Sequence, residues 1–200
     1  MGQRDNILFL DKENEESAVQ RVSRLLLDGG VCVIPTDTIY GIVAIDDCLE
    51  AVHRIYAVKG RPENKPLIRL IGRFDEFGSY SQKPLPEKIR KYWPGPLTVI
   101  VEGTHEPKVS IRYPLSSWLD RLFRALEYRV IVAPSANLSG RENIVEHETL
   151  IETFHRSVDL IVCKKGRLEK KKPSTIVDIS QRPWRVVRQG AVRLEDKDLI

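Results

Sequence analysis

Residues 29–67 join a short apolar run to a polar loop and then to a helix, and this order restricts the fold more than any other part of the chain. The run at residues 31–34 (VCVI) is apolar at every position, which is typical of a strand buried on both faces. Pro35 ends the run because proline cannot donate to a β-ladder. A hydroxyl- and glycine-rich loop follows at residues 36–41, and a helix of about three turns is predicted to begin at Asp47. This order indicates an α/β fold.

The rest of the chain also mixes apolar, strand-like runs with segments of helical periodicity. Several predicted strands follow one another without a helix between them, so the sheet cannot be purely parallel. We therefore predict a twisted, open, mixed sheet flanked by helices, in a single domain of residues 1–200. Strands are predicted at residues 31–34, 67–71, 97–101, 109–112, 130–133, 160–162, 175–179 and 185–187, and helices at residues 17–28, 47–59, 86–92, 117–126 and 146–154, whereas residues 73–80 are ambiguous between loop and one helical turn.

Composition and charge narrow the class of protein. The chain has 200 residues, of which 42% are hydrophobic and 30% charged, and no apolar run approaches the length of a membrane span. The charged amino terminus lacks the apolar core of a signal peptide, so we expect a cytoplasmic protein with no membrane partner. The 3 Cys and 4 His residues show no zinc-ligand spacing, and no metal site is predicted. The net charge of +4 is compatible with anionic ligands or RNA and requires neither.

Short polar motifs are predicted at the carboxyl ends of several buried strands. They are residues 36–41, 108–112 and 135–137 and, more loosely, Arg188. Crevices outside the carboxyl ends of strands are the usual ligand sites of open α/β sheets, so we expect these motifs to meet. The common nucleotide-binding signatures, GxxxxGK[ST] and GxGxxG, are absent.

Two cations and two neutral polar residues within these loops suit an anionic ligand. Lys59 and Arg61 lie two apart in a turn that Pro62 keeps from winding further, so both cations could point into one space. Arginine offers a planar fork for phosphate or carboxylate, and lysine a compact charge, while Ser135 and Asn137 add neutral hydrogen bonds. Taken singly, each motif is more often a solvated turn or a helix cap. Their joint occurrence indicates a pocket for a polyanion.

Six motifs occur in an order and spacing that resemble the YrdC/TsaC family, over about residues 18–191. The resemblance implies a YrdC-like open mixed sheet with a central, positively charged cavity. It also implies an enzyme, a nucleotidyltransferase that makes threonylcarbamoyl-AMP and pyrophosphate from L-threonine, bicarbonate or CO2, and ATP, for the t6A modification of tRNA. The motifs are PTDTIYG (35–41), KGRP (59–62), KPL (65–67), WPGPLT (93–98), APSANLSG (133–140) and STIVD (174–178).

The resemblance also implies a role for individual residues. Arg112 is expected to take the threonine carboxylate, and the Thr38 hydroxyl to act as a donor that distinguishes threonine from apolar analogues. Mg2+ is expected on the phosphates of ATP, held through the nucleotide and water. The expected catalytic residues are Lys59, Arg61, Ser135 and Asn137; those for ATP are Arg61, Lys65, Lys108, Ser135, Asn143 and Arg188; those for threonine are Thr38, Arg112, the backbone at Ala133, and Ser174.

Two other functions remain open at this point. In the first, the cationic concavity holds double-stranded RNA; against it, the cations are spread through loops with little aromatic interleaving. The one charge run, residues 164–172 (KKGRLEKKK), is predicted to be a solvated loop because like charges repel. In the second, the chain is a non-catalytic paralogue, although its Lys-x-Arg and Ser-x-Asn pairs are both intact. Besides the small substrates, the expected partners are the t6A transferase machinery, in transient contact, and weakly bound RNA.

Overall fold

The computed structural model describes residues 6–166 and 171–199. Within this part of the chain, ten strands alternate with helices and short turns. The strands are β1 Ile7–Leu10, β2 Cys32–Ile34, β3 Gly41–Ile45, β4 Ile68–Leu70, β5 Leu97–Glu102, β6 Lys108–Arg112, β7 Ile131–Val132, β8 Leu160–Lys164, β9 Thr175–Asp178 and β10 Arg185–Arg188. The helices are α1 Glu15–Leu27, α2 Leu49–Lys59, α3 Phe77–Tyr80, α4 Glu87–Arg90, α5 Ser117–Ala125, α6 His147–Phe154 and α7 Asp196–Leu199, with a 3-10 turn at Phe74–Glu76.

The strands form one open sheet in the order β1-β8-β2-β3-β7-β4-β6-β5-β9-β10. Its pairings are parallel for β1–β8, β8–β2, β4–β6 and β5–β9, and antiparallel for the others. The predicted open, mixed sheet flanked by helices is therefore confirmed. No helix in the described ranges is long and apolar enough to cross a bilayer.

Helices cover both faces of the sheet around β2 and β3. Helices α1 and α5 pack on one face, where Cys32 and Ile34 point, and α2 and α6 pack on the other, where Val31 and Val33 point. All four residues are fully buried, as the uniformly apolar run predicted. Burying an aliphatic side chain of this kind contributes about 1.5–3 kcal/mol, so these two layers hold the centre of the molecule.

The other half of the sheet is covered differently, and this difference creates room for a ligand. Along β5 and β9, Val99, Val101 and Val177 point into a third core, together with Trp93 and Trp184. Because side chains alternate along a strand, the intervening residues face the opposite side. That side carries polar and half-buried residues, and it forms one wall of the cavity described below.

The structure departs from the sequence prediction around β3 and α2. Strand β3 was not predicted. Its short apolar run lies directly between the polar loop and the helix, and the sequence pattern did not separate it from that connection. Helix α2 begins at Leu49 after Cys48, without a side-chain cap, so the expected start at Asp47 is wrong. The Asp47 carboxylate instead accepts a hydrogen bond from Arg129. Strand β1 and helix α7 were also missed, and the middle of the charge run, residues 167–170, lies outside the described residues.

Candidate active site

A cavity of about 310 Å³ lies against the polar side of the sheet. The loop after β2, the turn after α2 and the loop after β7 close it around one face of β5, β6, β9 and β10. Its described wall contains four cationic side chains and no carboxylate. The cations are Arg61, Lys65, Arg112 and Arg188, and the hydroxyl-bearing residues are Thr36, Thr38, Tyr40, Ser110, Ser135 and Ser174, although the Tyr40 hydroxyl itself contacts Lys164 and His147 outside the wall.

Most residues expected at the site meet in this cavity, although they come from distant parts of the chain. The structure brings to its wall Thr38, Arg61, Lys65, Arg112, Ala133, Ser135, Ser174 and Arg188. Four other expected residues, Lys59, Lys108, Asn137 and Asn143, are not among the residues that line it.

Lys59 is buried behind the cavity wall, with only 3% of its surface exposed. Its Nζ donates to the main-chain oxygens of Ser135 and Asn137. Burial, and then the charge of Arg61, lowers the pKa of Lys59 to about 8. The expectation that Lys59 and Arg61 share one space stays a prediction. Lys59 ends α2 and Gly60 follows with a left-handed φ of 57°; Arg61 lines the cavity and Lys59 does not, although the Arg61 charge still acts on Lys59.

Asn137 has no N–H left for a substrate, because both hydrogens of its Nδ2 are used within the loop after β7. Its Nδ2 donates to the main-chain oxygens of Leu138 and Arg141, each at 2.8 Å. Its Oδ1 accepts from the Ser135 hydroxyl. Asn137 thus shapes the loop after β7, and Ser135 reaches the cavity with acceptor capacity alone.

Lys108 and Asn143 flank the cavity on different sides. Lys108 lies on the same face of β6 as Ser110 and Arg112, but beyond the wall, where its Nζ pairs with Asp178 at 2.8 Å. Asn143 lines an adjoining cavity of about 170 Å³. The two cavities share Thr36 and residues 38–40, so the loop after β2 separates them.

Arg112 is the most deeply buried cation of the wall, with 5% of its surface exposed. Its Nη1 donates to Thr38 Oγ1 at 2.8 Å and its Nη2 to Asp37 Oδ1 at 2.9 Å. Its buried Nε has no hydrogen-bond partner among the described residues. Burial lowers the pKa of Arg112, and the Asp37 charge opposes that shift. Sequence reasoning missed Asp37, although its place beside Thr38 in the PTDTIYG motif was a usable signal.

Arg188 is held against Ser174 on the far side of the cavity. Its Nε and Nη2 donate to the Ser174 main-chain oxygen at 3.1 and 2.9 Å, and its Nη2 also contacts Ser174 Oγ at 3.1 Å. The Ser174 hydroxyl is 2.8 Å from that of Thr98. Burial lowers the pKa of Arg188. These contacts fix a guanidinium over a buried hydroxyl pair.

Arg61 is oriented by the turn that follows it. Its Nε donates to the main-chain oxygen of Lys65 at 3.1 Å, and its Nη2 to that of Pro66 at 2.9 Å. Both acceptors are uncharged, so the guanidinium keeps its charge and its other N–H groups for an anion. Among the described residues, no group of three or more His, Cys, Asp or Glu side chains could hold a metal ion.

Comparison with known proteins places these features in a family. The Sua5/YciO/YrdC family model, which carries the description "Telomere recombination", matches residues 24–190. A threonylcarbamoyl-AMP synthase from Pyrococcus abyssi is 30% identical over 203 residues, which cover 95% of this chain and 59% of the relative. A putative threonylcarbamoyl-AMP synthase from Methanocaldococcus jannaschii is 28% identical, with 98% of each chain covered. This chain therefore spans about three fifths of the first relative and nearly all of the second.

Solved structures show the same architecture. Pyrococcus abyssi Sua5 complexed with L-threonine superposes with a TM-score of 0.81 at 29% identity, over 92% of this chain and 57% of that one. Escherichia coli YciO superposes with a TM-score of 0.80 at 22% identity, over 97% of each chain, which supports the fold alone.

Proposed function

The chain belongs to the Sua5/YciO/YrdC family, and on this basis we propose that it makes threonylcarbamoyl-AMP and pyrophosphate from L-threonine, bicarbonate or CO2, and ATP. The observation that carries the proposal is the cavity wall, where four cations and several hydroxyl groups meet without a carboxylate. Such a wall suits substrates that together bring a carboxylate, a carbamate and a triphosphate. The reaction class is nucleotidyl transfer, and the product would serve the t6A modification of tRNA.

The reaction needs little covalent chemistry from the protein. The threonine amine attacks CO2 and loses a proton, which gives a carbamate. A carbamate oxygen then attacks the α-phosphorus of ATP, and the bond to the β-phosphate oxygen breaks as pyrophosphate leaves. Phosphoryl transfer of this kind depends on positioning and on neutralisation of charge, which buried and oriented cations supply.

We assign the threonine side of the cavity to Thr38, Arg112, the backbone at Ala133, and Ser174. Arg112 is suited to a carboxylate because its guanidinium is buried and held in place by Thr38 and Asp37, while its Nε and the second N–H of each Nη are not used in those contacts. The neighbouring Thr38 adds a short polar contact for the amino acid. A site with buried polar groups of this kind rejects ligands that leave those groups unpaired.

We assign the ATP side to Arg61, Lys65, Ser135 and Arg188, with Asn143 reached through the adjoining cavity. Lys108 would meet a nucleotide that extends along the same face of β6. Its present ion pair with Asp178 is half exposed, and exposed pairs contribute only about 0–1 kcal/mol, so a phosphate can replace the carboxylate at small cost.

For Lys59 and Asn137 we propose a positioning role in place of direct catalysis. Both are buried, and their polar atoms bind the loop that presents Ser135. Mg2+ would enter with the phosphates of ATP, because the described wall offers no carboxylate to hold it. Transient transfer of the product to the t6A machinery, in the cytoplasm, completes the proposal.

One assay tests it. The protein is incubated with ATP, L-threonine and labelled bicarbonate, and we expect pyrophosphate together with a labelled adenylate. Omission of L-threonine should abolish both products, and Arg61→Ala should lower turnover by about a hundredfold, the scale of one preorganised charge donor. Arg124→Ala, which removes an exposed arginine, is the control.

Two results would contradict the synthase. Binding of ATP and threonine without product would indicate a non-catalytic paralogue. RNA affinity that falls steeply with salt and ignores threonine, in a protein that forms no adenylate, would indicate an RNA-binding module.

A further inference from the structure

In the loop between β2 and β3, the hydroxyl of Thr36 uses its proton and both lone pairs in contacts within the loop. Thr36 Oγ1 lies 2.6 Å from the main-chain oxygen of Ile39. Because a carbonyl oxygen can only accept, Thr36 donates its single hydroxyl proton there. Thr36 Oγ1 also accepts from the main-chain N–H of Thr38 at 3.1 Å, which leaves it one lone pair.

That last lone pair determines the direction of the contact between the two threonines. Thr38 Oγ1 is 3.1 Å from Thr36 Oγ1, and Thr36 has no proton left to give, so Thr38 donates. Thr38 Oγ1 in turn accepts from Arg112 Nη1 at 2.8 Å, since a guanidinium has donors only. A hydroxyl has one proton and two lone pairs, so Thr38 faces the cavity with one free lone pair and no free proton.

We propose that Thr36 is a positioning residue that makes Thr38 an acceptor toward the bound amino acid. The inference rests on the proposed function, because it takes L-threonine as the ligand at this wall. The partner of Thr38 must then be an N–H or O–H group, which L-threonine offers at its α-amine and at its side-chain hydroxyl. A carboxylate oxygen at the same place would meet a lone pair, and is thereby directed to Arg112. This proposal differs from the expectation from the sequence, in which Thr38 donates to the ligand.

The test removes the hydroxyl of Thr36 without touching Thr38. In Thr36→Val, and in Thr36→Ala if valine disturbs the loop, the Thr38 proton is released and can turn toward the ligand. We expect KM for L-threonine to rise about three- to tenfold, the equivalent of one oriented hydrogen bond, with kcat within about twofold of the wild type. Thr36→Ser keeps the hydroxyl and should restore the wild-type KM.

A second ligand identifies which group of the substrate donates. L-2-Aminobutyrate keeps the α-amine and lacks the side-chain hydroxyl. If Thr36→Val weakens L-threonine and leaves L-2-aminobutyrate unchanged, the donor is the hydroxyl; if it weakens both equally, the donor is the amine. Unchanged KM for both ligands in Thr36→Val and Thr36→Ala would overturn the inference.

A matched control separates positioning from stability. Ser81 makes a similar local turn away from the cavity, since its hydroxyl donates to the Lys83 main-chain oxygen at 2.7 Å and accepts from the Lys83 N–H at 3.3 Å. We expect Ser81→Ala to lower the melting temperature without changing KM. A wild-type protein that neither binds L-threonine nor forms the adenylate would refute the proposed function itself, whereas an active wild type with an indifferent Thr36→Val refutes only this inference.

Discussion

At the scale of single residues, the cavity depends on a cation that the fold has removed from water. Arg112 and Asp37 have side chains that are 6% and 8% exposed, and they form a hydrogen-bonded ion pair. Burying a charge is costly unless a partner compensates it, so removal of either residue leaves the other as an unpaired buried charge. Asp37 also accepts from the main-chain N–H of Leu115, which ties the loop after β2 to the approach to α5.

We expect Asp37→Asn to destabilise the protein because it leaves the Arg112 charge buried without a counter-charge. The free energy of unfolding, measured with urea, should fall by about 3 kcal/mol, the lower end for a broken buried pair. The control is Asp120→Asn, which breaks the exposed pair with Arg124 and should change the value by less than about 0.5 kcal/mol. Equal effects in the two variants would show that burial of the Arg112 pair is unimportant.

At the scale of elements, α5 approaches the end of β4 closely because Gly72 has no side chain. A Cβ added at Gly72 would lie 2.6 Å from Cγ of Phe123, which is fully buried in the core that α1 and α5 form against the sheet. A Cβ added at Gly78, in α3, would have no atom of residues 6–166 or 171–199 within 4 Å. A methyl group at Gly72 would therefore clash with the core, whereas one at Gly78 would not.

Gly72→Ala should lower the free energy of unfolding by about 1–3 kcal/mol, because the core must shift to admit the methyl group. Gly78→Ala should leave it unchanged or raise it by about 0.5–1 kcal/mol, since alanine favours a helix more than glycine does. Thermal unfolding of both variants measures the difference. Destabilisation of the same size in both would contradict the close packing of α5 on the end of β4.

Helix α2 acts on the site through its last residue. The pKa of Lys59 is about 8 in the folded protein, below its ordinary value of 10.5, chiefly because of burial. Between these two values the unfolded chain binds the proton and the folded chain does not, so stability rises as pH increases through this window. A neutral amine still has two N–H groups for the oxygens of Ser135 and Asn137, so the clamp persists.

We therefore expect the urea midpoint of the wild type to rise between pH 7 and pH 9.5 relative to that of Lys59→Met, which cannot titrate. Lys12→Met, a change at an exposed lysine, is the control and should follow the wild type across this range. If Lys59→Met shows the same pH dependence as the wild type, Lys59 is not the titrating group. Turnover of Lys59→Met should also fall, because the loop that presents Ser135 loses its anchor.

At the scale of the whole molecule, the carboxyl-terminal segment folds back on the third core. Asp198 in α7 accepts from Lys91 Nζ at 2.7 Å and from the Tyr92 hydroxyl at 2.6 Å. Earlier in the segment, the Thr175 hydroxyl accepts from the N–H groups of Gly190 and Val192, both at 3.0 Å. The Thr175 contacts hold the segment that follows β10 against β9, and β10 places Arg188 at the cavity wall.

The Asp198 contacts should make the protein sensitive to acid. Lys91, and then Tyr92, lowers the pKa of Asp198 to about 2 from an ordinary value of 3.8. The stabilisation is complete above pH 3.8 and is lost as pH falls toward 2, because the folded state must then accept a proton that the unfolded state already holds. Asp198→Asn should lower the urea midpoint at pH 6 and reduce its difference from the wild type near pH 2. Asp196→Asn, at an exposed position of α7, should leave both midpoints unchanged.

Much of this organisation follows from local chemistry. The buried strand at residues 31–34, the polar loop after it and the mixed character of the sheet were predictable, because apolar periodicity and proline act over a few residues. The meeting of Arg112, Ser135 and Arg188 was also predicted, but from a rule that this sheet does not follow. Strands β6 and β10 run antiparallel to β7, so their carboxyl ends lie at opposite edges of the sheet, and only the tertiary structure brings the three residues to one cavity. The family resemblance, now confirmed, rested on motifs that are visible along the chain.

What the linear order could not decide was the direction of each polar group. Lys59 and Arg61 are two residues apart, yet one clamps a loop from behind and the other reaches the cavity, because Gly60 reverses the chain between them. Whether Thr38 donates or accepts depends on its contacts with Thr36 and Arg112, and Arg112 lies 74 positions along the chain from Thr38. Hydrogen bonds saturate, so the role of a hydroxyl or an ammonium group is set by all of its neighbours in space, which the fold alone assembles.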